Sequence, residues 1–122
     1  MKILHCVIDE KFIDNAINLY ETDKSVTNDY IIIQDKKTDY VYITDVRIRS
    51  VSEKNFLSIS RDYDVVILHS LFSVPYKLIP QIDKKIKVCW FAWGWDLYEG
   101  MFPVVPINLY GPQTKRFLFP QI

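Results

Sequence analysis

The 122-residue chain is 49% hydrophobic and carries 15 basic and 15 acidic side chains, so it is formally uncharged and long enough for one domain with a real core, but not for two. Its Lys and Arg residues stand singly or in pairs among acids, which argues against the basic stripe that nucleic-acid binding requires. No run approaches the length of a membrane span, and the amino terminus reaches His5, Asp9 and Glu10 too soon for a signal peptide.

In chain order, segments with strand character alternate with segments of helical periodicity. Lys2 to Ile8 reads as the first strand. Asp9 is placed to cap a helix whose one face carries Phe12, Ile13, Ala16, Ile17 and Tyr20, with Asp14, Asn15, Asn18 and Glu21 opposite. Tyr30 to Gln34, β-branched and bounded by polar residues, reads as the second strand. Thr38 to Val51 admits two readings, an outer strand at Tyr40 to Ile43 or a loop leading into a strand at Val46 to Val51. Ser52 would cap a helix from Glu53 to about Asp62 that turns Phe56, Leu57 and Ser60 inward. Asp64 to Ser70 is the clearest strand, apolar until its last two residues. A short helix is expected from Ser73 to Ile82, with Pro75 in its first turn and Pro80 shortening or kinking it. Val88 to Phe91 is a last apolar run, suited to a strand buried on both faces. Cys6 and Cys89 each sit inside such a run without a second ligand at zinc-site spacing, which reads as buried free thiols in a reducing cytoplasm.

Strands alternating with helices of this length imply right-handed crossovers and an α/β, Rossmann-like, three-layer fold. The expected order is 3-2-1-4-5, a parallel sheet with helices on both faces. The ligand crevice of such a sheet lies beyond the carboxyl ends of its strands at the switch point, which places Asp9, leaving the first strand, and His69, ending the fourth, on that edge. The turn after the first strand has no glycine, and Gly94, Gly100 and Gly111 form no phosphate-cradling loop, so a nucleotide-dependent dehydrogenase or kinase is not expected. No cluster of His, Cys or Asp has metal-ligand spacing, and neither a tightly bound divalent ion nor a cofactor is expected.

After Phe91 the chain changes character, with Gly94 between Trp93 and Trp95 and with Asp96 and Glu99 close behind. The plain structural alternative is a core Trp90, an Asp96 that caps the next helix, and Leu97, Tyr98 and Glu99 in its first turn. That alternative suits Trp93 and Trp95 less well, because a short turn rarely needs two large rings straddling a glycine. His69 has the alternative of bonding a backbone group at its strand end. His5, inside a strand, reads as a satisfied core histidine.

Leu68-His69-Ser70-Leu71-Phe72, and later Trp93-Gly94-Trp95-Asp96-Leu97-Tyr98-Glu99, resemble two segments of one bacterial glycosyltransferase family. Its members add 4-acetamido-4,6-dideoxygalactose to the lipid-linked intermediate of enterobacterial common antigen. The second segment is the specific one; in the first, Ser70 stands where the family has glycine. The likeness is loose over residues 1–99 and sharp only in these segments. It implies the N-terminal, acceptor-side domain of a two-domain GT-B enzyme. The nucleotide-sugar donor would then be held by a C-terminal domain beyond this chain, and a lipid-linked saccharide would be the acceptor, with peripheral contact at the inner face of the cytoplasmic membrane.

Sugar transfer needs a base for the acceptor hydroxyl, and His69, Asp96 and Glu99 are the candidates for that catalytic role or for hydrogen-bonding the acceptor. Trp93 and Trp95 would stack on a sugar or touch the prenyl chain. The resemblance adds Gly94, Tyr98 and Asp9 to the acceptor-binding set, and His69, Trp93, Asp96 and Glu99 are expected to line one crevice. The rival class is a non-catalytic Rossmann-like binding or regulatory module, for which Asp9-Glu10 mimics the acidic pair of a receiver domain.

Overall fold

The computed structural model describes residues 1–36 and 38–91. The aliphatic and β-branched runs form strands β1 (Lys2–Cys6), β2 (Thr27–Ile33), β3 (Ile48–Val51), β4 (Val65–Leu68) and β5 (Lys87–Trp90), and the two amphipathic segments form helices α1 (Ile13–Tyr20) and α2 (Glu53–Ser60). All pairings are parallel and the order is β3-β2-β1-β4-β5, as the alternation of elements predicts.

Because side chains alternate across a strand, the sheet feeds two separate cores, one on each face. Leu4, Cys6, Ile31, Val66 and Leu68 point to the face covered by Phe56 of α2 and by Leu78 and Ile82. Val7, Tyr30, Ile32 and Ile48 point the other way, against Ile13 and Ile17 of α1. These are the three layers of an α/β, Rossmann-like fold. Burying each such aliphatic or aromatic side chain contributes roughly 1.5–3 kcal/mol, so the apolar stripes of α1 and α2 decide which sheet face each helix takes.

Several local expectations are corrected. Asp9 does not cap α1. The cap position is Phe12, with no side-chain hydrogen bond, because the Asp9 carboxylate instead accepts the backbone N–H groups of Val41, Tyr42 and Ile43 at 2.6, 2.9 and 3.0 Å. Ser52 does hold the cap position of α2, yet its hydroxyl makes no capping bond; Asp35 Oδ1 accepts the Glu53 N–H at 3.2 Å in its place. The region between Thr38 and Val51 resolves as a loop entering β3, with no strand at Tyr40 to Ile43.

The helix expected from Ser73 to Ile82 is instead two 3₁₀ segments, Leu71–Ser73 and Tyr76–Gln81. Pro80 lacks the N–H that an α-helix would bond to Tyr76, and its ring would clash with that carbonyl, so the chain tightens rather than continuing. Among the described residues β5 stands at the edge of the sheet, and Lys87, Val88 and Cys89 are exposed rather than enclosed on both faces. Cys6 is buried as expected, whereas Cys89 is not. No helix among the described residues is long and apolar enough to cross a membrane.

Candidate functional site

Parallel pairing of β1 with β4 sets His5 opposite Ile67 and Cys6 opposite Leu68. One residue further on, the His69 N–H donates to the Cys6 carbonyl at 3.0 Å, so the ladder runs on past the end of β4 and fixes the His69 backbone at the carboxyl edge. His5, His69 and Tyr30 share the α1 side of the sheet. There the two imidazoles meet, with His5 Nδ1 2.9 Å from His69 Nε2. On its other side His5 Nε2 lies 2.8 Å from Oδ1 of Asn28, a β2 residue two positions before Tyr30 on the same face. The Asn28 amide nitrogen in turn donates to the Tyr20 carbonyl at the end of α1, at 3.3 Å.

Aromatic rings enclose the pair. Tyr30 stacks on His5 at 4.7 Å and Tyr20 lies tilted against it at 4.4 Å. Tyr20 and Phe91 present to His69 edge-on at 5.7 and 5.5 Å. His5 is fully buried and His69 only 2% exposed. Burial therefore favours the uncharged form of both. For His5 this loss of water outweighs the opposing pull of Asn28, Glu21 and Asp29 and lowers its pKa. For His69 burial, reinforced by the neighbouring His5, brings the pKa down to about 4. The pair is neutral near neutral pH.

The neighbouring polar groups are engaged in holding the chain. The Tyr30 hydroxyl donates to Glu21 Oε1 at 2.9 Å, and burial together with that carboxylate pushes its pKa up. Cys6 has its thiol pKa raised by burial, which removes it as a nucleophile. Ser70 has φ −161° and ψ 154°, extended backbone that any residue adopts, so this loop does not require the glycine found in the resembling family. Its Oγ accepts the Phe72 N–H and its carbonyl accepts the Ser73 hydroxyl, which turns the chain into the first 3₁₀ segment.

Of the residues expected to form the site, His69 stands at the carboxyl edge beside β1. Asp9 follows β1 on the same edge, with both carboxylate oxygens directed to the loop at 41–43; desolvation, the largest single influence, raises its pKa, but the three N–H donors together outweigh it and hold the pKa low. Trp93, Gly94, Trp95, Asp96, Tyr98 and Glu99 lie outside the described residues, and so does the expected cap at Asp96. Two residues that the sequence did not single out for the site, His5 as a partner and Asn28, form hydrogen bonds with His69 and with its neighbour, respectively. The available signal was that both histidines sit in apolar runs assigned to adjacent strands.

Among the described residues no three His, Cys, Asp or Glu side chains converge in a way that would hold a metal ion. Two open depressions, one beside β3 between Tyr40 and Ser50 and one at the amino edge near Tyr63 and Lys87, do not include either histidine. These two depressions bring no reactive group together, and the buried imidazole pair is the better guide to function because shape alone supplies no chemistry.

Fold and site together define an α/β protein of Rossmann-like layout with a neutral histidine pair at the point where the strand order reverses. No protein-family model, no curated protein sequence and no solved structure matches this chain.

Proposed function

We propose that this chain is the acceptor-side domain of a glycosyltransferase that moves a deoxyamino sugar from a nucleotide-sugar to a lipid-linked saccharide. The observation that carries this reading is a neutral imidazole, His69, at the carboxyl end of β4 beside β1, where open α/β sheets bind their ligands. The resemblance of the 68–72 and 93–99 segments supplies the substrate class, and the glycine-free turn after β1 argues that the nucleotide diphosphate is held by another domain.

In the transfer the acceptor hydroxyl oxygen bonds to the anomeric carbon, the bond from that carbon to the diphosphate oxygen breaks, and the hydroxyl proton passes to a base. His69, Asp96 and Glu99 are the candidates for that base. Trp93, Gly94, Trp95 and Tyr98, with Asp9, would form the acceptor surface, and the prenyl chain would bring the domain to the inner face of the cytoplasmic membrane. Since His69 is 2% exposed, it meets an acceptor only when the crevice opens around it. That same burial favours the second reading, a non-catalytic Rossmann-like binding module in which the pair is a structural tie.

Titration of the protein with a polyprenyl-linked saccharide and, separately, with a nucleotide-sugar distinguishes the half-sites. The proposal expects saturable binding of the first and none of the second. Saturable binding of the nucleotide-sugar alone, or of neither ligand, would count against it.

A further inference from the structure

We propose that Asn28 and His5 are positioning residues that fix His69 as the tautomer with hydrogen on Nε2 and the lone pair on Nδ1. The Tyr20 carbonyl accepts hydrogen bonds and never donates. Its neighbour at 3.3 Å must therefore be the Asn28 NH₂ group, and the reversed amide would set two oxygens against each other. The Asn28 oxygen then faces His5 Nε2 at 2.8 Å and requires a hydrogen on that nitrogen. A neutral imidazole carries one N–H, so His5 Nδ1 holds a lone pair and the hydrogen in the 2.9 Å bond belongs to His69 Nε2. One carbonyl at the end of α1 thus orients three groups in series, drawn from β2, β1 and the end of β4.

This arrangement has a chemical consequence for the base role, and for that consequence alone it rests on the function proposed above. An imidazolium formed at His69 donates from Nε2 into the waiting lone pair of His5 Nδ1. An amide oxygen is too weak a base to take the proton further, so Asn28 ends the chain on the β2 side. Among the described residues, titratable groups around them include Glu21 at the end of α1, Asp29 on β2, and the phenols of Tyr20 and Tyr30, with Cys89 of β5 beside Tyr20.

The test is a long-range ¹H–¹⁵N spectrum of the uniformly labelled protein near neutral pH. With only two histidines in the chain, a His5→Gln sample assigns both rings. The expected result is a protonated Nε2 and an unprotonated Nδ1 in each ring. Asn28→Asp supplies an anion that favours a charged His5; His5 Nδ1 then carries a hydrogen and donates to His69 Nε2, and the hydrogen of His69 moves to Nδ1. A wild-type His69 protonated on Nδ1, an even mixture of tautomers, or a folded Asn28→Asp protein with an unchanged His69 pattern would overturn the proposal. The wild-type spectrum decides the tautomer even if the variant does not fold. The proposed tautomer together with no acceptor binding would leave the relay standing and remove the glycosyltransferase reading, whereas acceptor binding with the opposite tautomer would do the reverse.

Discussion

Two residues that bury their imidazoles uncharged tie stability to pH. His69 has a folded pKa of about 4 against an ordinary 6.5, and His5 is shifted in the same direction. Between those values the unfolded chain binds the proton more readily, so stability rises with pH. It is fully present above about pH 6.5 and is lost as pH falls toward 4, by an amount on the order of 3 kcal/mol for His69. Chemical denaturation between pH 4 and 7 should show this slope, and His69→Gln, which keeps an N–H donor toward His5 but does not titrate, should flatten it. The carboxylates of Asp9 and Asp14 are also held low, but from an ordinary 3.8, so their contribution disappears only below that window. Asp9→Ala should cost about 1 kcal/mol, near the low end for charged hydrogen bonds because the carboxylate is well solvated. Amide exchange checks its local effect: protection at Val41, Tyr42 and Ile43 should fall, while β1 and β4 keep theirs.

At the scale of elements, α2 is held by its apolar side and not by its cap. Phe56 is fully buried in the cluster with Leu4, Val66 and Leu68, so Phe56→Ala should cost about 3–5 kcal/mol, measured by equilibrium unfolding. Val46, 95% exposed on the loop before β3, is the contrasting position: Val46→Ala should change stability by less than about 0.5 kcal/mol. The elements were legible where periodicity was strong. The inward stripe of Phe12, Ile13, Ala16, Ile17 and Tyr20 marks α1, and the apolar run before His69 marks β4. Capping and proline effects were less legible. Asp9 can accept any nearby N–H, and nothing in its neighbours says that the loop at 41–43, far along the chain, would reach it first. Pro75 and Pro80 announce a disturbed helix, but whether the result is a kinked α-helix or a 3₁₀ segment depends on how Leu78 and Ile82 pack under the sheet.

For the whole molecule, strand order follows from the alternation of elements and the handedness of crossovers, so β3-β2-β1-β4-β5 was readable in advance. Register was not, because it is settled by non-local pairing, and register is what sets His5 level with Ile67 and lets His69 reach it across the α1 face. His5 was correctly readable as a buried, satisfied histidine, yet its partner was hidden 64 positions away. The central claim is that this edge of the sheet receives a sugar acceptor at His69. The most direct measurement follows the ¹⁵N resonance of His69 Nδ1 while a polyprenyl-linked saccharide is titrated in detergent, with the nucleotide-sugar as the parallel titrant. The account predicts a saturable shift at Nδ1 with the saccharide and none with the nucleotide-sugar; an Nδ1 resonance that stays fixed while the saccharide binds elsewhere, or moves only with the nucleotide-sugar, would contradict it.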